Sequence, residues 1–207
     1  MAANSKIEWT DHTFNIREGC QKVSPACDIC YAWLRDKHWH AGKNWGPLGE
    51  RKQMAEAYWR QPLKWDKEAA ALGQKHKVFC SSLADWGEKP PRPELRFTYE
   101  SQLRRLGALI DETTNLIWLL LTKRPENWPW AYRHMGYREQ GETHTVPRNI
   151  FPMTTVENQE YADKRIPKLL EIPSALGHGI SYEPALGPID LNDERDWLTP
   201  VVRKPKA

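Results

Sequence analysis

Long hydrophobic runs are missing from this sequence: the longest strongly apolar stretch covers 116–121, against the roughly 20 residues that a membrane-crossing helix needs. The opening MAANSKIEWTD also lacks the apolar core of a secretory signal, so the expectation is a cytoplasmic protein with no membrane partner. Charge of one sign is scarce. Thirty Lys and Arg against twenty-seven Asp and Glu leave +3, too small a surplus to argue for a nucleic-acid partner by itself. There is no Gly-rich phosphate loop, no His-Glu-x-x-His run and no nucleophile elbow, which removes the motif evidence for three large enzyme classes. Repeats and low-complexity segments are absent too. The only Pro-rich stretch, Lys89-Pro90-Pro91-Arg92-Pro93, is too short for a domain linker. One domain over 1–191 is expected, followed by a divergent polar and basic tail over 192–207.

Cysteine is sparse as well, four residues in all, but three of them crowd between positions 20 and 30. Where thiols are kept reduced, such crowding reads as metal ligation rather than as disulfides. In the segment from Gly19 to Tyr31 the Ser24-Pro25 pair favours a turn, so that Cys20, Cys27 and Cys30 can converge. Three thiolates suit a 4Fe-4S cluster with one iron left open to the amino and carboxylate groups of a small molecule, the ligation that S-adenosylmethionine chemistry uses. Zinc is the alternative, because Cys-x-x-Cys is a common half-site. Its fourth ligand would come from His12, His38, His40 or Cys80, none of which completes a standard spacing. Cys80, alone in an apolar run, reads as a buried small hydrophobe.

What the chain has in quantity is alternation. Apolar runs at 77–83, 116–122, 150–156 and 179–182 are separated by helix-like stretches, the clearest from Glu94 to Glu112 with Leu95, Leu103, Leu106, Leu109 and Ile110 at helical spacing. This β-α-β-α rhythm predicts an α/β fold with a parallel sheet, either a partial TIM-like barrel or a doubly wound sheet. The continuous apolar strand at 116–121 predicts a sheet covered on both faces. At 207 residues the chain is short of the roughly 250 of a complete eight-unit barrel. Polar residues follow each run: Asp85, then Lys123 and Arg124, then Glu157 and Asn158, then Glu183. Ligands bind at the C-terminal ends of parallel strands, so Asp85, Lys123, Glu157, Asn158 and Glu183 are the expected cofactor-binding residues. Turn chemistry and helix capping are the other reading of the same positions. The eleven Trp are expected to be mostly core or cleft wall.

Ordered motifs run through most of the chain: Ile7-Glu8-Trp9-Thr10-Asp11, the cysteine loop, Phe79-Cys80-Ser81-Ser82-Leu83-Ala84-Asp85-Trp86, Leu121-Thr122-Lys123-Arg124-Pro125-Glu126-Asn127, Thr155-Val156-Glu157-Asn158-Gln159 and Glu183-Pro184-Ala185-Leu186-Gly187-Pro188-Ile189. In these the chain resembles the bacteriophage and bacterial three-cysteine-motif proteins, catalogued as phage proteins of unknown function, which are themselves similar to radical S-adenosylmethionine enzymes. The resemblance implies a radical-enzyme-like barrel with the cysteines after the first strand, a cavity built from later strand ends, and a bacterial host carrying phage or prophage. The six residues between Cys20 and Cys27 form a wider gap than is usual in radical S-adenosylmethionine enzymes. The relatives' last strand and helix have no counterpart after Leu191, which implies a barrel open on one side.

Three functions follow. The first is an iron–sulfur enzyme acting with S-adenosylmethionine on an unknown substrate and needing an electron donor. The second is a metal-stabilised nucleic-acid-binding module, cued by Lys123 and Arg124 with Trp128 and Trp130 nearby. The third is a truncated, non-catalytic remnant.

Overall fold

A computed structural model describes residues 5–137 and 147–191; the expected tail over 192–207 lies outside the described residues. Each of the four apolar runs forms a strand. These are β4 (His76–Cys80), β5 (Leu116–Thr122), β6 (Ile150–Thr155) and β7 (Gly179–Ser181). A fifth strand, β1 (His12–Phe14), joins them at the edge, and all five pair in parallel in the order β1-β4-β5-β6-β7. Spatial order therefore follows chain order. The reversal that creates the crevice of a doubly wound sheet does not occur among these strands. A separate antiparallel pair is made by β2 (Arg17–Glu18) and β3 (Lys52–Gln53).

Among the described residues six α-helices fill the intervals: α1 (Tyr31–His40), α2 (Glu56–Trp59), α3 (Gln61–Ala71), α4 (Arg96–Glu112), α5 (Trp128–Met135) and α6 (Gln159–Leu170). The helix expected from Glu94 starts as a short 3-10 turn at Pro93–Leu95, since proline presets the first turn but cannot donate within it. The helix ends at Thr113, whose hydroxyl donates to the Leu109 carbonyl at 2.6 Å and accepts from Trp118 Nε1 at 3.0 Å. One side chain thus closes α4 and seats the central strand. Gly107, midway along α4, lies against α5: a Cβ there would stand 2.1 Å from the Met135 carbonyl oxygen.

The two faces of the sheet differ. On one, Phe14, Val78, Cys80, Leu116, Trp118 and Leu120 pack into the main core with Trp65 of α3 and Leu103, Leu106 and Ile110 of α4. Strand pleating sends the alternate residues to the other face, where Thr13, Phe79, Leu119 and Phe151 stand in one register row. Trp9 covers part of that face, its ring centroid 4.9 Å from that of Phe79. The rest borders two cavities of about 970 and 720 Å³, and among the described residues the helical ones lining them belong to α1 and the 3-10 turn (Pro25–Ile29) before it. Phe79 and Leu119 are nevertheless buried on this second face. The apolar side chains of β5 pack on one side and wall a cavity on the other.

Candidate functional site

Gly19 launches the cysteine loop. Its φ is +108°, and a Cβ would stand 2.1 Å from the Asn44 carbonyl oxygen, so only glycine fits. Its N–H donates to the Leu83 carbonyl at 3.0 Å and it bridges in parallel to Ala84. The loop is thereby held beside the segment that follows β4, at the C-terminal edge of the sheet. Cys27 sits in the 3-10 turn Pro25–Ile29, its N–H donating to the Ser24 carbonyl at 3.0 Å. Cys30 is the residue from which α1 starts.

Cys20, Cys27 and Cys30 all line the 970 Å³ cavity, and so do Asp85, Lys123 and Glu183 from the expected cofactor set. Thr122, Thr155 and Ser181 add hydroxyls from the ends of β5, β6 and β7, and Trp9, Phe79 and Leu121 supply an apolar wall. Glu157 and Asn158, expected at the same mouth, do not line it. The Glu157 carboxylate is buried beneath α6, where Arg165 Nη1 donates to its Oε2 at 2.6 Å. Asn158 caps α6, its Oδ1 accepting from the Tyr161 N–H at 3.1 Å. Both turn toward the following helix, because a strand end is also where that helix must be anchored.

Asp85 is committed within the protein. Its carboxylate accepts from the Thr122 hydroxyl (2.6 Å), the Lys123 N–H (3.1 Å), the Gly87 N–H (3.0 Å) and Arg124 Nη1 (2.6 Å). Burial pushes this carboxyl up, but the Arg124 guanidinium and the Thr122 hydroxyl overcome that push and hold it below its ordinary value. Arg124, which the strand-end reading passed over in favour of Lys123, is the residue that reaches the cysteines. Its Nη1 lies 3.6 Å from Cys20 Sγ and its Nη2 donates to the Gln21 carbonyl at 2.8 Å. As a free thiol, Cys20 is pushed by burial up to about 12, with Arg124 pulling the other way.

A second buried carboxylate holds the same loop. Glu88 Oε1 accepts from the Gln21 N–H at 3.1 Å, and Glu88 also pairs with Arg51 and accepts from the Tyr99 hydroxyl at 2.6 Å. Neither Glu88 nor Arg51 had a signal in the sequence, since 37 residues separate them. For Arg124 the signal was its place beside Lys123 at the end of β5.

Two thiolates on one zinc ion stand at most about 4.6 Å apart, twice a zinc–sulfur bond. Among the described residues the group of three ligand atoms gathered within 4.8 Å is that of Glu18, Asp36 and His40, not the thiols. Of the other zinc candidates, Cys80 lies in the packed core and His12 is buried there, stacked on Trp65 at 4.4 Å. His40 belongs to the Glu18 group, which Arg35 (3.1 Å) and Lys52 (3.5 Å) already neutralise. The cue for nucleic-acid binding also finds other uses: Arg124 is buried against Asp85, and Trp128 is packed edge-on to Trp86 at 4.6 Å. No helix of the described residues is long and apolar enough to cross a membrane.

Nothing among the curated proteins or the solved structures matches the chain. One family model does, that of a protein of unknown function (DUF5131), over residues 4–201. Because this match spans nearly the whole sequence, the chain belongs to the DUF5131 family.

Proposed function

We propose that this protein is an iron–sulfur enzyme of the radical S-adenosylmethionine type, built on a partial, open TIM-like barrel. The observation that carries the reading is that three thiols from one loop border a single large cavity at the C-terminal edge of a parallel sheet. The barrel reading is supported by strand order following chain order and by helices packed on one face with cavities on the other.

Cys20, Cys27 and Cys30, which border one cavity, would hold a 4Fe-4S cluster. When bound, such a cluster supplies a single low-potential electron to S-adenosylmethionine, opening a route to hydrogen abstraction from a substrate. The chain's own residues provide the rest. Lys123 offers a cation for a carboxylate, Glu183 an acceptor for an amine or ribose hydroxyls, and Thr155 and Ser181 hydroxyls for further polar groups. Trp9 and Phe79, their rings tilted by 55° to each other, give an apolar aromatic wall against which an adenine ring would pack. Asp85, which the sequence put among the cofactor ligands, serves in this reading by positioning Arg124.

The test is anaerobic reconstitution with iron and sulfide, then addition of S-adenosylmethionine and dithionite. Wild-type protein is expected to show the visible absorbance of an iron–sulfur cluster and to release 5′-deoxyadenosine, and a Cys27→Ala variant to do neither. A colourless protein that takes up zinc would overturn the cluster. A coloured protein with no cleavage above the variant's background would leave the cluster and overturn the enzyme, in favour of a non-catalytic remnant.

A further inference from the structure

Resting on the reading of the three cysteines as cluster ligands, the geometry points to Arg124 as a positioning residue that aims Cys20 at the cluster and raises the cluster's reduction potential. The guanidinium is buried and makes three contacts that fix it. Nη1 is held by Asp85 Oδ2 at 2.6 Å, Nη2 donates to the Gln21 carbonyl at 2.8 Å, and the same Nη1 points at Cys20 Sγ from 3.6 Å. Only a planar fork can meet a carboxylate, a carbonyl and a sulfur from one rigid group, which is why lysine would not substitute in full.

Asp85 is itself locked by the Thr122 hydroxyl and the Lys123 and Gly87 N–H groups, so the fork cannot swing. The backbone of the next residue is clamped on both sides: Arg124 takes the Gln21 carbonyl, and Glu88 takes the Gln21 N–H at 3.1 Å. Cys20 therefore projects from a backbone with little freedom. Among the described residues no guanidinium reaches Cys27 or Cys30, and Cys27 Sγ meets the Ser24 hydroxyl at 3.9 Å. The cluster is thus held asymmetrically, with one ligand sulfur receiving a charge-assisted hydrogen bond.

Such a bond has a defined electrical effect. A reduced cluster carries one more negative charge than an oxidised one, and a cationic donor at a ligand sulfur favours the reduced state. Asp85 and Glu88, the latter 3.9 Å from Arg124 Nη2, moderate the charge but leave the donated bond in place. The arginine lowers the demand on the electron donor at the cost of a weaker reductant once the electron has arrived.

The experiment compares reconstituted wild type, Arg124→Lys, and the double variant Arg124→Met with Asp85→Asn, which removes donor and partner together so that no buried charge is left alone. Cluster content is read from iron and sulfide, fold from circular dichroism, midpoint potential by spectroscopic redox titration, and the reduced cluster by electron paramagnetic resonance. We expect the double variant to load a cluster with a midpoint shifted to more negative potential and an altered resonance signal, and the lysine variant to fall between it and wild type. A loaded double variant with the wild-type midpoint and signal would overturn the inference. Wild-type protein that takes up no cluster would overturn the cluster reading as well, so the two failures are told apart.

Discussion

Glu88 and Arg51 form a two-pronged ion pair without solvent: Nη2 to Oε1 is 2.9 Å, Nε to Oε2 is 3.0 Å, and the side chains are 0% and 1% exposed. Arg51 also donates to the Asn44 and Gly46 carbonyls at 2.9 Å each. The pair ties the segment around Asn44 to the loop that carries Cys20. Removing Arg51 leaves the Glu88 carboxylate buried with the Tyr99 hydroxyl, the Gln21 N–H and the more distant Arg124 in place of its close cation, so Arg51→Met is expected to cost about 3 kcal/mol. The double variant Arg51→Met with Glu88→Gln should cost less than the two single changes added together. Urea unfolding of the four proteins checks this, and additive losses would count against a coupled pair.

Acid should weaken the protein through Asp85. Its carboxyl is held below the ordinary value of 3.8, so the unfolded chain takes up the proton first as pH falls. The stabilisation is present above that ordinary value and lost as pH drops through the lower folded-state value. Wild type should therefore lose stability between about pH 5 and pH 2 more steeply than Asp85→Asn does. Denaturation midpoints followed across that range give the comparison, and parallel slopes would remove Asp85 from the account.

Glycine to alanine in a helix interior ordinarily stabilises by about 1 kcal/mol. Gly107 should reverse that sign, because the new methyl would meet the Met135 carbonyl oxygen at 2.1 Å and force α4 and α5 apart. A loss of about 1–3 kcal/mol is expected, read as a lower thermal midpoint. A raised midpoint would show that the helices can part without cost.

Thiol reactivity should separate the four cysteines without any metal present. Cys80 is buried in the core and should react only on unfolding, whereas Cys20, Cys27 and Cys30 are partly exposed. Since the thiolate is the nucleophile, Cys20, pushed up to about 12, should be modified more slowly than Cys27 and Cys30. Mass spectrometry of iodoacetamide-treated native protein at pH 8 gives the order. Fast labelling of Cys80 would contradict its place on the packed face.

The strands legible in the sequence were those whose apolar runs pack against helices. The 116–122 run matches β5 residue for residue, and the run from Glu94 to Glu112 became a short 3-10 turn followed by α4. His12–Phe14 escaped notice because three residues are too few for a pattern, and the β2–β3 pair because Arg17, Glu18, Lys52 and Gln53 carry no apolar signal at all. Strand-end position located Asp85, Lys123 and Glu183 at the cavity but placed Glu157 and Asn158 there too, since the same position serves to fasten the next helix. Glu88 and Arg51 stayed hidden because nothing local distinguishes a buried pair whose members meet only after folding.

Because strand order repeats chain order in this sheet, every strand after β1 finds its earlier neighbour already synthesised. β4 docks on β1, β5 on β4, β6 on β5 and β7 on β6, so a chain leaving the ribosome can extend the sheet one unit at a time without holding a gap open for a later insertion. Assembly of the molecule can therefore keep pace with translation, and the wall of the cavity is laid down in the order in which the message is read.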